Sequence, residues 1–393
     1  MYINRKLVQC MDIYLDNSAT TKPYKEVIDK MVYALSTDYA NPSSLHRKGI
    51  EVEKNIKNIR QNIARTLGTK DKEIYFTSGG TESNNTIIRS VASINKKRKN
   101  HIISTTIEHP SVLNTLKDLE SEGYEVTYLE VDKDGKINID ELKKAIKPTT
   151  CLVTIMHVNN EVGSIQPIQE IGKYLKSLDD KVYLHVDAVQ SYTKINFRPS
   201  RYNIDFMSVS GHKFHGPKGI GFMYIKENNR IKPILTGGGQ EIGIRSGTEN
   251  TPGIYGLGEA VRIINEDLDN KIEKIKSLRD LLKNEIINNI DDIKLNSPSD
   301  GVCHILNVTF YGIKGEVLLH YLEQKGVYVS TGSACSSKKK GSHVLNAIKL
   351  KPKEIEGAVR FSLSDFNTEE EILEAAKIVK ESVKDLRMII RRR

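Results

Sequence analysis

Asp205-Phe206-Met207-Ser208-Val209-Ser210-Gly211-His212-Lys213-Phe214-His215-Gly216-Pro217 is the stretch on which the reading of this chain turns. Its first six residues carry enough apolar positions for a short buried strand, and Gly211 breaks that strand. Lys213 then stands in a turn at the strand's end. A lysine in such a place loses hydration, which disfavours the ammonium and leaves more neutral amine to attack a carbonyl carbon. A surface lysine on an ordinary turn carries the same local signature. The rest of the chain must decide between the two.

Outward from this stretch, strands and helices alternate. A strand at 74–77 precedes a helix from Glu82, one at 101–104 precedes a helix from Ser111, and one at 125–128 precedes a helix from Asp140. Strands at 151–156 and 182–187 flank a helix from Ile168, and 219–225 reads as one more strand. This alternation predicts an α/β fold: a large domain with a mostly parallel sheet covered by helices on both faces. After a glycine-rich loop, Gly237 to Thr248, a connecting helix is predicted from about Gly256 to Ile290. Further strands at 305–309, 327–329 and 359–363 and a last helix from Thr368 predict a second, smaller α/β domain. The expected organisation is an N-terminal segment, 1–20, packing with the small domain, a large domain at 21–260, and a small domain at 261–393.

With 393 residues, a substantial core is affordable. No run of about 18 apolar residues is present to span a bilayer, and the N-terminus lacks the apolar core of a secretory signal, so the cytoplasm is the expected location. Residues 1–10 read as a dispensable extension. The formal net charge of +9 hints at an acidic partner such as RNA, but it is spread along the chain, and direct nucleic-acid binding is not expected. Cys10, Cys151, Cys303 and Cys335 are too scattered for a disulfide framework or a metal site. Cys151 and Cys303 lie in apolar stretches and read as inert. Cys335, among small polar residues with Lys338-Lys339-Lys340 downstream, reads as the reactive thiol.

The glycine fingerprints of P-loop and dinucleotide-binding proteins are missing. Instead, Ser78-Gly79-Gly80-Thr81 exposes backbone N–H groups and a hydroxyl where a helix starts, which suits a phosphate, although a plain threonine cap would look alike. Asp187 ends an apolar strand, so its carboxylate emerges at the sheet edge where α/β proteins bind ligands, or else caps the next helix. A phosphate turn, a carboxylate for a pyridinium nitrogen and the amine of Lys213 are the three parts that hold pyridoxal phosphate. His109 follows a strand and is placed to stack on a flat ring or move a proton; His157, His185 and His304 read as structural. Arg360 offers a planar fork for a substrate carboxylate, or a surface ion pair.

Taken together, the sequence resembles the cysteine desulfurases, the pyridoxal-phosphate enzymes of the NifS and IscS kind, from about Tyr14 to the last helix. The motifs that carry the resemblance are Leu15-Asp16-Asn17-Ser18-Ala19-Thr20-Thr21, Asn41-Pro42-Ser43-Ser44 with His46, Thr77-Ser78-Gly79-Gly80-Thr81-Glu82-Ser83-Asn84 and Glu108-His109. They continue with Asn159-Asn160-Glu161-Val162-Gly163, His185-Val186-Asp187-Ala188-Val189-Gln190, Ser210-Gly211-His212-Lys213, Arg245-Ser246-Gly247-Thr248, Gly332-Ser333-Ala334-Cys335 and Arg360-Phe361-Ser362. The resemblance implies the fold of aspartate aminotransferase, Lys213 as the Schiff-base lysine, Asp187 on the pyridine nitrogen, Gln190 on the ring hydroxyl, His109 over the ring and Asn159 beside it. Gly80, Thr81, Ser210 and His212 would hold the phosphate, with Thr248 reaching it from the other subunit of a homodimer. Arg360 would bind the carboxylate of L-cysteine, with Asn41. Lys213 or His109 would move protons, and Cys335 would take the sulfur as a persulfide, leaving alanine.

The same resemblance implies a sulfur acceptor, either an iron–sulfur scaffold or a tRNA sulfurtransferase. No resident metal is implied, Cys335 being the one residue to touch an iron–sulfur assembly in passing. The Ser-Ala-Cys-Ser form matches the branch with a long catalytic loop, though the stretch from Cys335 to Val344 is one residue shorter than the housekeeping pattern. A selenocysteine lyase or another lyase or aminotransferase of this fold would share Lys213 and Asp187. A basic RNA-binding or scaffold protein with a vestigial site would need neither.

Overall fold

The computed structural model describes residues 12–331 and 341–391; Cys10 and the Gly332 to Cys335 motif lie outside the described residues. The chain divides into two compact units. The larger comprises Thr20–Asn159 and Ile165–Leu268, and the smaller takes Asn160–Ser164 together with the described residues before Thr20 and after Leu268.

In the larger unit seven strands form one sheet in the order Ile74–Thr77, Gly221–Ile225, Phe206–Ser210, Tyr183–Asp187, Thr150–Met156, His101–Thr105, Glu125–Leu129. All run parallel except Gly221–Ile225, which is antiparallel to both neighbours. The physical reason is the connection: a parallel return needs a crossover of a dozen or so residues, usually helical, and only a single 3-10 turn, Gly211–Lys213, stands between Ser210 and Gly221. Otherwise the expected α/β architecture is the one observed. Thr150–Met156 and Phe206–Ser210 are buried at every position, which is why they read as near-continuous apolar runs. The edge strand Glu125–Leu129 is more exposed and is marked by a Glu125–Lys147 ion pair, a charge that discourages pairing with a further strand.

The helix Gly80–Asn95 lays Ile87, Ile88, Val91 and Ala92, and the helix Pro110–Ser121 lays Val112, Leu116 and Leu119, against Ile102, Leu152 and Phe206. Each fully buried aliphatic side chain there stabilises the unit by roughly 1.5–3 kcal/mol. Cys151 belongs to this core, its thiol pushed up to about 12 by burial, which suits the inert role expected of it. Two glycines fit the turn after the first strand against the sheet. Gly79 has φ +148°, and a Cβ on Gly221 would stand 2.3 Å from the Val209 carbonyl and 2.8 Å from the Gly79 Cα.

The smaller unit holds an antiparallel sheet, Ala358–Ser362, Ile305–Phe310, Ile293–Leu295, and a short parallel pair, Ile13–Tyr14 with Val327–Tyr328. Asn17 ties the same N-terminal segment to the antiparallel sheet by donating from Nδ2 to the Ser362 carbonyl at 2.9 Å. The connecting helix expected as one piece is two, Thr251–Asn265 and Leu268–Asn289. The division between units falls within a residue of that break. Among the described residues no helix is long and apolar enough to cross a membrane.

Candidate active site

Register aligns the ends of the central strands of the larger unit. Met156 sits opposite Asp187, and Asp187 opposite Ser208. The segments that leave this carboxyl edge carry Gly79 and Gly80 after Thr77, Glu108 and His109 after Thr105, Asn159 after Met156, Gln190 after Asp187, and Lys213 after Ser210. Five separate strands therefore deliver five groups of predicted site residues to one edge, the place where open α/β sheets bind ligands.

Asp187 is buried. Its Oδ2 accepts from Asn84 Nδ2 at 2.8 Å and its Oδ1 from the Val189 N–H at 3.0 Å. Both donors are neutral, so they orient the carboxylate without neutralising it, as a partner for a pyridinium nitrogen would require. Lys213 ends the 3-10 turn and is half-buried. The segment after Ala19 braces that turn: the Thr21 N–H and Oγ1 donate to the His212 carbonyl at 2.8 and 3.0 Å, and the His215 N–H donates to Thr21 Oγ1 at 2.6 Å. Burial, then the charges of Lys213 and Lys218, pushes the His212 imidazole down to about 4, so it is neutral near pH 7. Its Nδ1 lies 3.2 Å from the Thr20 hydroxyl.

The proposed phosphate end fits a small anion. The helix Gly80–Asn95 begins there with Gly79 as its cap, Thr81 is exposed in its first turn, and Ser210 Oγ would be 3.2 Å from a Cβ on Gly79. A Cβ on Gly80 would press to 2.7 Å from Val189 Cγ2. The start of a helix, two hydroxyls and glycines without side chains are what a phosphate ester needs.

His109 is exposed and caps the helix Pro110–Ser121, its Nδ1 accepting from the Ser111 N–H at 3.1 Å. Asn159 is buried and donates to the Ile107 carbonyl at 3.2 Å, and Gln190 is buried beyond Asp187. Thr248 and Asn41 are exposed, the latter closing its own turn on the Ser43 N–H at 2.9 Å. The loop before Thr248 is pinned by Glu241, which takes a bidentate pair from Arg60, both contacts at 2.7 Å, and the Phe76 N–H at 2.8 Å. His185 is fully buried between the Thr154 and Ser208 hydroxyls, at 2.8 and 2.9 Å, and is pushed by burial to about 3, which fits its structural reading.

Arg360 belongs to the smaller unit. Its Nη2 pairs with Asp16 at 2.6 Å, its Nη1 donates to the Asn160 carbonyl at 2.9 Å, and its buried Nε has no partner. A guanidinium held on two sides is fixed in orientation, and the second hydrogens of its two Nη groups remain to meet a carboxylate. Cys335 lies outside the described residues.

Four residues went unassigned in the sequence reading. Asp16 holds Arg360; Glu161 is bonded to Ser342; Asn84 holds Asp187; Glu108 lies fully buried beneath the edge. Asn84 carried a signal, because it occupies an apolar stripe with Ile87, Ile88 and Val91 where a polar residue must have a partner. Both Glu108 oxygens accept from the Met156 N–H, at 3.0 and 2.9 Å, and Oε1 also takes the Thr105 hydroxyl at 2.7 Å. Burial nevertheless pushes this carboxyl up to about 8, and the charge of Asp187 pushes the same way.

Native Glu108 keeps a proton that the unfolded chain releases above about 4.5, so its contribution is full below that pH and is lost as pH rises towards 8. Glu108→Gln, neutral at every pH, is expected to gain stability relative to wild type by a few kcal/mol between about pH 5 and pH 8, read as the difference between their denaturation curves. A constant difference over that window would show that Glu108 does not titrate there.

Comparison with known proteins places the chain in a defined class. Residues 13–374 match the family model of aminotransferase class-V, and the chain belongs to that family. Among curated relatives, the cysteine desulfurase IscS of Dictyoglomus turgidum is 42% identical over 380 residues, covering 96% of each chain. Among solved structures, a NifS-like protein superposes with a TM-score of 0.90 at 39% identity, covering 95% of this chain and 100% of that one. The structure of SspA in complex with cysteine superposes with a TM-score of 0.81 at 38% identity, covering 91% and 100%.

Proposed function

We propose that this chain is a pyridoxal-phosphate-dependent cysteine desulfurase that acts as a homodimer, converting L-cysteine to alanine and passing the sulfur through Cys335. The observation that carries the reading is the delivery of Asp187 and the Lys213 turn from adjacent strands to one sheet edge, in a chain this similar to cysteine desulfurases. When bound, the cofactor supplies an electron sink for the pair left at the substrate's Cα. Lys213 holds its aldehyde, Asp187 faces the ring nitrogen, Gln190 the ring hydroxyl, and His109 and Asn159 flank the ring. Gly80, Thr81, Ser210 and neutral His212 hold the phosphate. Arg360, with Asn41, orients the substrate carboxylate, and the Cys335 thiolate attacks the substrate sulfur. The S–S bond forms as the substrate's Cβ–S bond breaks, and that bond's electron pair stays with the carbon skeleton, which leaves as alanine after protonation.

Two features favour the dimer. Ile28, Val32, Leu35, Tyr39, Leu45 and Ile50 are exposed along neighbouring segments of the larger unit, Leu45 at 93%, an apolar strip that a two-fold partner would cover. Ile242, in the loop that leads to Thr248, is a further exposed apolar side chain, at 72%. The sulfur acceptor is a protein, an iron–sulfur scaffold or a tRNA sulfurtransferase. Incubation with L-cysteine, quantification of alanine and mapping of a persulfide-trapping reagent test the reading, on a preparation sized by sedimentation. A labelled Cys335 peptide from a dimer is expected. Alanine released with the label elsewhere would point to another lyase of this fold, and no alanine would remove the activity altogether.

A further inference from the structure

Four side chains of the larger unit form one hydrogen-bonded chain whose direction can be read atom by atom. The Asn84 amide donates one hydrogen to Asp187 Oδ2 at 2.8 Å and the other to Ser111 Oγ at 2.9 Å. Turning the amide over would set its oxygen against a carboxylate, so this orientation is fixed, and it leaves Oδ1 buried without a partner. Ser111 Oγ accepts from Asn84, so the single hydroxyl hydrogen is free to point at His109 Nδ1, 2.8 Å away. That nitrogen also accepts the Ser111 N–H at 3.1 Å. With two donors aimed at it, Nδ1 carries no hydrogen, and the proton of the neutral ring sits on Nε2.

We propose that Asn84 and Ser111 are positioning residues that lock His109 in its neutral Nε2–H form and tie it to the carboxylate of Asp187. The inference rests on the reading that His109 and Asp187 flank the cofactor ring. Under it, His109 offers that ring or the substrate a hydrogen-bond donor and is not the base. The proton taken from the substrate's Cα goes to the Lys213 amine, where a new N–H bond forms as the C–H bond breaks. One asparagine thus fixes two partners of the ring, and a single misplaced amide would disturb both.

The test uses protein labelled with ¹⁵N in histidine and long-range ¹H–¹⁵N correlation, with His109→Ala identifying the resonances. Wild type is expected to show an unprotonated Nδ1 and a protonated Nε2, with and without pyridoxal phosphate. In Ser111→Ala only the main-chain N–H of residue 111 still reaches Nδ1, and in Asn84→Ala the Ser111 hydroxyl is no longer oriented. In both, a minor Nδ1–H population should become detectable, and kcat should fall severalfold with KM within about threefold. Ser111→Thr, which keeps the hydroxyl, should restore both. Asn84→Ala should also shift the absorbance band of the bound cofactor, because Asp187 loses a donor, whereas Ser111→Ala should not. Protonated Nδ1 in wild type overturns the proposal, as does an unmixed Nε2–H ring with unchanged kcat in both alanine variants. A colourless protein that takes up no pyridoxal phosphate yet keeps the predicted tautomer would sink the desulfurase reading and leave the hydrogen-bond assignment supported.

Discussion

Lys213→Ala is expected to yield a folded protein that turns over cysteine at least about 10⁴-fold more slowly than wild type and gains no pyridoxyl label on borohydride reduction. The backbone around position 213 does not depend on the side chain. The preceding strand is buried throughout, Phe214 is fully buried, and the turn is held by main-chain and Thr21 hydrogen bonds. What disappears is the one amine in the turn able to bond an aldehyde. Lys213→Arg sharpens the test, because arginine keeps the cation and the length but gives up no proton at accessible pH. It should fail as completely as alanine if nucleophilicity is what matters. Retained turnover in the arginine variant would mean that position 213 contributes only charge.

Cys335→Ala is expected to separate sulfur transfer from cofactor binding: Lys213 should still be labelled and the cofactor still bound, while alanine production falls by about a thousandfold or more, as when a nucleophile is removed. The described residues on either side of the segment that bears Cys335 are fastened in the smaller unit. The backbones of Ser330 and Arg360 exchange hydrogen bonds of 3.1 and 2.7 Å. On the far side, the Ser342 hydroxyl donates to Glu161 Oε2 at 2.5 Å, and burial pushes that carboxyl up to about 7. Glu161 follows Asn160, whose carbonyl takes Arg360 Nη1. Both anchors therefore adjoin the arginine proposed to grip the substrate. Alanine released at the wild-type rate by Cys335→Ala would mean that sulfur leaves without this thiol, and the enzyme would be a lyase.

The sheet was legible because its strands are covered on both faces: near-continuous apolar runs such as 151–156 and 206–209, alternating with helical patterns, suit a mostly parallel sheet between helices. The order in space was not, since nothing local to 221–225 says that it turns back antiparallel between the first strand and Phe206–Ser210; that follows from a connection too short for a crossover. The placement of Asp187 and Lys213 at the sheet edge could be read in advance because each follows an apolar run that stops at a defined place. Asp16, Glu161 and Glu108 could not, because their partners, Arg360, Ser342 and the Met156 N–H, lie 344, 181 and 48 positions away. The break between Asn265 and Leu268 also escaped notice, as the amphipathic pattern runs through it with no glycine or proline to mark a stop.

The ion pair between Arg360 and Asp16 has a consequence for how hard the enzyme can hold an amino acid. In the role proposed for Arg360, an arriving carboxylate would meet a cation that already has Asp16 beside it, so binding would exchange or share a ligand instead of neutralising a bare charge. The gain is the difference between two similar contacts. A resident competitor of this kind would trade grip for release, which would favour turnover where product and substrate carry the same carboxylate.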